Sequence, residues 1–196
     1  MQDLSAEFER HRPRLFGIAY RIVYGTEIQF AKEITMKPRI DSRRVNPKVR
    51  QHMLAIGGYL HGSSLGSRLL HLVEIRASQI NGCAQCLDMH TQDARAEGES
   101  EQRLYTLAAW REAPFFDDRE RAALEWTEAV TLVAETHVPD DVYERVRQQF
   151  SEQELIDLTL AVTEINTWNR LNVAFRTVAG NYRPGMYKAW MAAAGA

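Results

Sequence analysis

The sequence predicts an all-α protein, a bundle of helices. Apolar residues recur with helical spacing along most of the 196 residues, and strand patterns are nearly absent. No strand–helix–strand alternation of the kind that builds a parallel sheet is found. Apolar residues make up 45% of the chain, enough for one packed core, and the net charge of −2 gives no reason to expect nucleic acid or an anionic membrane as partner.

The N-terminal segment is predicted to be an appendage, residues 1–35, with a helix over 5–24 interrupted near Pro13. Residues 25–45 lack a clean period and are predicted to be a linker. Residues 36–50 carry six Lys or Arg and a single acid, Asp41. We interpret this run as a solvated face rather than a site for an anionic partner, because no aromatic residues interleave with the charges.

Cap residues divide the following chain into helices. Asn46 before Pro47 is typical of a helix start, and Gly62 ends that helix. Ser64 is predicted to open the next helix, which the Asn81-Gly82 pair breaks. A further helix begins at about Cys83 and runs to Gly98, and the remaining helices are predicted over 100–111, 118–136, 139–150 and 151–179. Ser151 and Glu154 form a capping box at the last of these, and residues 191–196 are predicted to be a disordered tail.

The most informative segment is CAQCLDMH, residues 83–90. Cys83, Cys86 and His90 are separated by three, four and seven residues, so one helical stripe carries all three side chains. The first turn of a helix favours an anion, and a thiolate is the reactive form of cysteine. The segment therefore predicts a dithiol that cycles through a sulfenic acid and a disulfide, with the imidazole moving the proton.

Three alternatives compete with this dithiol hypothesis. The first is that the cysteines are inert core residues. The second is that they bind zinc, although no other Cys or His pair has the spacing of zinc ligands. The third, a thioredoxin-like fold, conflicts with the missing strand–helix–strand pattern. Upstream, His71 and Glu74 lie one turn apart, and either is a candidate to reach the thiols or to serve only in packing. The polar residues of helix 151–179, including Glu164, Asn169 and Asn172, we interpret as structural hydrogen-bonding groups.

Residues 36–187 resemble the carboxymuconolactone decarboxylase family in its alkylhydroperoxidase D-like (AhpD-like) branch. The segment HLVEIRASQINGCAQCLDMH, residues 71–90, carries the resemblance, and residues 109–116 and 165–170 support it. The resemblance implies an AhpD-like helical bundle over residues 36–190, a homo-oligomer, and a thiol-dependent peroxidase that needs no cofactor or metal. It also implies that Cys86 forms the sulfenic acid, that Cys83 donates its proton and closes the disulfide, and that His90 belongs to the proton relay.

One position departs from the family pattern. The peroxidases of this branch carry a glutamate twelve residues before the first cysteine, where this chain has His71, and the nearest acid is Glu74. Either residue is a candidate to complete the relay. The lactone decarboxylases of the wider family lack the cysteine pair, so the pair argues against that activity.

Residues 1–24 resemble the start of an extracytoplasmic-function sigma factor, but only its first helix is represented, and we infer no DNA binding. Met36 looks like the family's usual start, so we expect residues 1–35 to be a fused remnant or a misplaced start. The function expected from the sequence is that of a cytoplasmic antioxidant peroxidase, which reduces a small hydroperoxide and is recycled by a dithiol donor. The alternatives are a redox-sensing or interaction protein and a lyase on the same fold.

Overall fold

The computed structural model describes residues 37–194, except for the side chains at 42 and 43. Throughout this range the regular elements are helices and no strand occurs, which confirms the predicted all-α class. The predicted helix over 5–24 lies outside the described residues. We number the helices α1 Ser42–Val45, α2 Pro47–His61, α3 Ser67–Asn81, α4 Ala84–Ala96, α5 Glu101–Thr106, α6 Asp118–Thr131, α7 Val133–Thr136, α8 Asp140–Val146, α9 Glu152–Phe175 and α10 Met186–Ala194.

Several predicted helix ends are confirmed by their caps. Asn46 caps α2 by accepting a hydrogen bond from the Val49 amide at 3.3 Å. Ser151 and Glu154 form the predicted capping box at the start of α9. Gly82 ends α3 at a φ of 65°, a left-handed conformation that glycine adopts without the penalty of a side chain.

Other boundaries differ from the prediction. Helix α3 begins at Ser67 after Gly66, not at Ser64, because Gly66 has a φ of 79° and separates the two segments. The helix predicted over 118–136 is broken at Leu132, and the helix predicted over 151–179 ends at Phe175, after which Arg176 turns left-handed. The predicted tail is wrong for residues 191–194, which complete α10 and bury Met191.

Helix α3 lies at the centre of the bundle and contacts α4, α6 and α9. Its apolar face meets α6, α8 and α9 in the main core, around Leu70, Val73, Ala123 and Leu158. Helix α10 packs across α2, where Gly57 and Gly58 allow a close approach. None of the helices in the described range is both long and apolar enough to cross a membrane.

Candidate functional site

The turn between α3 and α4 positions the two cysteines. Gly82 reverses the chain, so that Cys83 becomes the N-cap of α4 and Cys86 lies in its first turn. The Cys83 sulfur accepts a hydrogen bond from the Cys86 amide, with a sulfur–nitrogen distance of 3.4 Å. A negative charge on this sulfur is therefore stabilised by the amide and by the positive end of the helix dipole.

The two sulfur atoms lie 2.6 Å apart, and both cysteines are free thiols. Their side chains are buried among Ala77, Ile165 and Trp168. A disulfide requires a sulfur–sulfur distance of about 2 Å, so little movement is needed to close one here. The predicted proximity of the two thiols is thus present in the structure.

The two thiols differ in acidity. The hydrogen bond with Cys86, aided by the Cys86 amide and the side chains of Asn169 and Asn172, lowers the pKa of Cys83 to about 7 although burial opposes it. The same hydrogen bond, together with burial and the charge on Cys83, raises the pKa of Cys86. The two shifts therefore favour ionisation of Cys83 over Cys86. This ordering is the reverse of the roles that the family resemblance implies.

Asparagine side chains on α9 hold the α3–α4 turn through hydrogen bonds, and we call this set of bonds the asparagine ladder. Asn172 donates to the Cys86 sulfur at 3.3 Å, and Asn169 donates to the Ser78 hydroxyl at 3.0 Å. The Asn81 side chain donates to Asn169 at 2.9 Å and to Asn166 at 3.0 Å. The buried asparagines of α9 are satisfied by these bonds, as expected for a structural role, but the same bonds also reach the thiols.

Next to the dithiol, Glu74 is surrounded by three histidines. Its Oε2 lies 2.9 Å from Nδ1 of His90 and 3.2 Å from Nδ1 of His71, and its Oε1 lies 3.4 Å from Nε2 of His61. Burial alone would raise the pKa of Glu74, but these three imidazoles hold it well below its usual value. We call His61, His71, Glu74 and His90 the histidine–glutamate cluster.

The cluster brings both upstream candidates, His71 and Glu74, to His90, and Glu74 is its central acid. His71 is also 3.4 Å from Glu97, and although burial opposes it, Glu74 and Glu97 raise the pKa of this imidazole. Nδ1 of His90 faces Oε2 of Glu74, and neither ring nitrogen of His90 has an aligned hydrogen-bond partner among the described residues. Cys86 and His90 are nevertheless one helical turn apart on α4.

Sequence reasoning missed two residues of the site, Tyr187 and the chemical role of Glu164. The Tyr187 ring stands edge-on to the rings of His90 and His61, at centroid distances of 5.6 and 5.8 Å. Glu164 is a hydrogen-bond acceptor for Trp168, and burial with the nearby charge of Glu74 raises its pKa to about 8. Glu164 is therefore mainly neutral at pH 7. Tyr187 gave no local signal, because only the packing of α10 on α2 brings it to the site.

An apolar cavity of about 320 Å³ is lined by neighbours of Cys86, although neither cysteine is part of its wall. Its wall includes Gln85, which directly precedes Cys86, and Asn172, which donates to the Cys86 sulfur. The remaining wall is mostly aliphatic and aromatic, with Leu54, Met89, Trp168, Leu171, Phe175, Tyr187 and Trp190. Such a cavity suits an organic molecule with an apolar body.

The fold and the site together describe an all-helical protein with a buried dithiol at a helix N-terminus. Comparison with known proteins identifies its family. Residues 47–129 match the model of the carboxymuconolactone decarboxylase family. The chain is also 43% identical over 139 residues to uncharacterized protein YdfG of Bacillus subtilis (strain 168), covering 71% of this chain and 95% of that protein. The chain belongs to the carboxymuconolactone decarboxylase family.

Solved structures support the AhpD-like branch. A protein of unknown function from Agrobacterium tumefaciens, provisionally named as an antioxidant defence protein AhpD, is 42% identical, with a TM-score of 0.72 over 74% of this chain and all of that chain. An uncharacterized peroxidase-related protein with an alkylhydroperoxidase AhpD core, from Ralstonia eutropha JMP134, has a TM-score of 0.64 at 14% identity, over 96% of this chain and 90% of that chain. The second likeness concerns the fold alone. The predicted AhpD-like helical fold is confirmed.

Proposed function

We propose that the protein is a thiol-dependent peroxidase that reduces an organic hydroperoxide with the Cys83–Cys86 dithiol. The observation that carries the proposal is the pair of free, buried sulfurs 2.6 Å apart, one of them with a pKa of about 7. A thiol that is half ionised near neutral pH combines a useful thiolate population with good nucleophilicity. The likeness to the Agrobacterium protein, named for antioxidant defence, supports the same activity.

The proposed reaction has four steps. The Cys83 thiolate attacks the terminal peroxide oxygen, the oxygen–oxygen bond breaks, and a sulfenic acid and an alkoxide form. The alkoxide takes one proton and leaves as an alcohol. Cys86 then attacks the Cys83 sulfenic sulfur, and a disulfide and water are produced. A dithiol donor reduces the disulfide by thiol–disulfide exchange and is itself oxidised.

In this proposal the histidine–glutamate cluster supplies and recovers the proton. Glu74 and Glu97 raise the pKa of His71 and so favour its protonated form, which gives the cluster a proton to supply. His90 stands one turn from Cys86 and 2.9 Å from Glu74, which makes it the link between this proton and the thiols. Glu74 thus takes the part of the glutamate that the family places twelve residues before the first cysteine.

The cavity beside Cys86 supports a hydroperoxide with an apolar substituent. Its lining is mainly aromatic and aliphatic, and its volume of about 320 Å³ exceeds what hydrogen peroxide needs. Binding of the apolar body would add favourable burial that hydrogen peroxide lacks. We therefore expect cumene hydroperoxide to be reduced with a higher kcat/KM than hydrogen peroxide.

The test is consumption of cumene hydroperoxide by the reduced protein with a dithiol reductant. We expect both Cys83→Ser and Cys86→Ser to abolish turnover, and His52→Gln, which changes an exposed histidine on α2, to leave it unchanged. Mass spectrometry after one equivalent of peroxide should show the loss of two hydrogens in the segment 83–86. Turnover that persists without both sulfurs would refute the proposal.

Two further features belong to the proposal. A dithiol enzyme of this kind must be kept reduced between turnovers, which suits the cytoplasm. The side chains of Ile40, Val45 and Val49 line the apolar cavity and are also exposed, and they support the expectation of a homo-oligomer. Sedimentation at several concentrations tests this, and a monomer at all of them would contradict it.

A further inference from the structure

The histidine–glutamate cluster has the composition and the geometry of a metal site. His71, Glu74 and His90 each offer one ligand atom, and these three atoms all lie within 4.8 Å of one another. Two imidazoles with one carboxylate form a ligand set found in zinc sites that keep an open position. This ligand set includes neither of the two cysteines.

The distances fit a tetrahedral ion. Zinc–nitrogen bonds of about 2.0–2.1 Å place two tetrahedral ligands about 3.3 Å apart. Oε2 of Glu74 lies 2.9 Å from the His90 nitrogen and 3.2 Å from the His71 nitrogen, so two of the edges are close to that length. The ligand atoms of His71 and His90 lie within 4.8 Å of each other.

The cluster also leaves buried groups without hydrogen-bond partners. Nδ1 of His90 is close to Glu74 but not aligned for a hydrogen bond, and both nitrogens of His90 and of His61 are buried without a partner among the described residues. An unpaired buried polar atom is costly, and a bound cation would satisfy it. The carboxylate of Glu74, which is only 4% exposed, is the acidic ligand that a buried cation requires.

A second carboxylate and a cavity border the cluster on the His71 side. Nε2 of His71 lies 3.4 Å from Glu97, so a carboxylate stands behind this imidazole at close to hydrogen-bonding distance, as in many metal sites. His71 and Glu97 also line a second cavity of about 310 Å³, whose wall includes Ser67, Arg68, Glu99 and Arg103. One of the three proposed ligands, His71, therefore borders a cavity that the dithiol does not line.

We propose that the cluster binds one Zn²⁺ ion through Nδ1 of His71, Oε2 of Glu74 and Nδ1 of His90, with water as the fourth ligand. His61 orients the second oxygen of Glu74, and Glu97 orients His71. Because the ion occupies the groups that move the proton in the proposed peroxidase, its binding turns that activity off. This last consequence rests on the proposed function, whereas the site itself does not.

The test is titration of the reduced full-length protein with Co²⁺ and Zn²⁺ in the absence of peroxide. Bound Co²⁺ should give the visible absorption bands of a four-coordinate complex, without the near-ultraviolet charge-transfer band of a thiolate ligand. One equivalent of Zn²⁺ should displace the Co²⁺ and remove these bands. The double variant Cys83→Ser/Cys86→Ser and the matched control His52→Ala should bind as the wild type does.

Variants of the cluster decide the outcome. We expect His71→Ala and Glu74→Gln to weaken Zn²⁺ binding about 100-fold or more, and Glu97→Gln, a partly exposed position, to weaken it about 10-fold to 100-fold. The Glu97 variant keeps the test valid if a buried variant fails to fold. Binding that is lost in the double cysteine variant but kept in His71→Ala, or no binding by the wild type, would overturn the site. If the protein binds Zn²⁺ but has no peroxidase activity, only the proposed function is refuted.

Discussion

Replacing Cys86 by alanine tests which sulfur carries the negative charge. The hydrogen bond with Cys86 is the main cause of the lowered pKa of Cys83. Alanine removes that hydrogen bond, while the burial of Cys83 stays. We therefore expect the pKa of Cys83 to rise from about 7 towards or beyond the ordinary cysteine value of 9.0.

The size of the effect follows from the two pKa values. Two pKa units correspond to about 2.7 kcal/mol of thiolate stabilisation. At pH 7 the thiolate fraction falls from about a half to about 1%, a change of about 50-fold. The more basic thiolate is intrinsically about 6-fold to 10-fold more nucleophilic, so the rate of alkylation at pH 7 falls about 5-fold to 8-fold.

The assay is ultraviolet absorbance of the thiolate against pH, together with the rate of alkylation by iodoacetamide. The wild type should show one step near pH 7, and Cys86→Ala should move it upward. Cys83→Ala is the matched control, in which the step near pH 7 should vanish. If instead the step survives Cys83→Ala and is lost in Cys86→Ala, then Cys86 is the resting thiolate, and our reading of the helix cap is wrong.

Three further predictions concern stability, each measured as the free energy of unfolding in denaturant. Gly57→Ala places a Cβ 2.6 Å from the Tyr187 hydroxyl and should lower the unfolding free energy by about 1–3 kcal/mol. Gly58→Ala, whose Cβ would have its nearest atom at 3.7 Å, should leave the stability unchanged or raise it by up to about 1 kcal/mol. Equal losses in the two variants would contradict the close packing of α10. Asn169→Ala leaves its buried hydrogen-bond partners unsatisfied and should cost about 1–3 kcal/mol, and an unchanged stability would remove the structural role of the ladder. Hydrogen bonds and ion pairs with Trp110, Arg111 and Arg76 lower the pKa of Glu128 despite its burial, so Glu128→Gln should be destabilising at pH 7. The difference in unfolding free energy from the wild type should shrink as the pH falls below the ordinary glutamate pKa of 4.5. A difference that does not depend on pH would contradict this explanation.

The sequence was sufficient for features that depend on neighbouring residues. The Asn46 cap, the Gly82 break and the position of both cysteines at the start of α4, Cys83 at its N-cap and Cys86 in its first turn, follow from local backbone chemistry. The spacing of Cys83 and Cys86 also predicted their proximity, because residues three apart share a helix face.

Features set by distant contacts were beyond that reasoning. Leu132 breaks the predicted helix over 118–136, and the Thr136 hydroxyl donates to the Ala129 carbonyl at 2.7 Å across the break. Helix α10 lacks a strong cap signal and is held by packing on α2, so its segment read as a frayed tail. The central place of Glu74 among three histidines depends on the meeting of α2, α3 and α4, which no local pattern encodes.

The asparagine ladder has a consequence for how α3 and α9 slide along each other. Two apolar helix faces can shift by a turn at modest cost, but directed bonds such as those from Asn169 to Ser78 and from Asn81 to Asn166 form at only one axial offset. The hydrogen bond from Asn172 to the Cys86 sulfur depends on the same axial offset of α9. The asparagine hydrogen bonds therefore fix this offset and set the Asn172 amide and the Cys86 sulfur at hydrogen-bonding distance each time the chain folds.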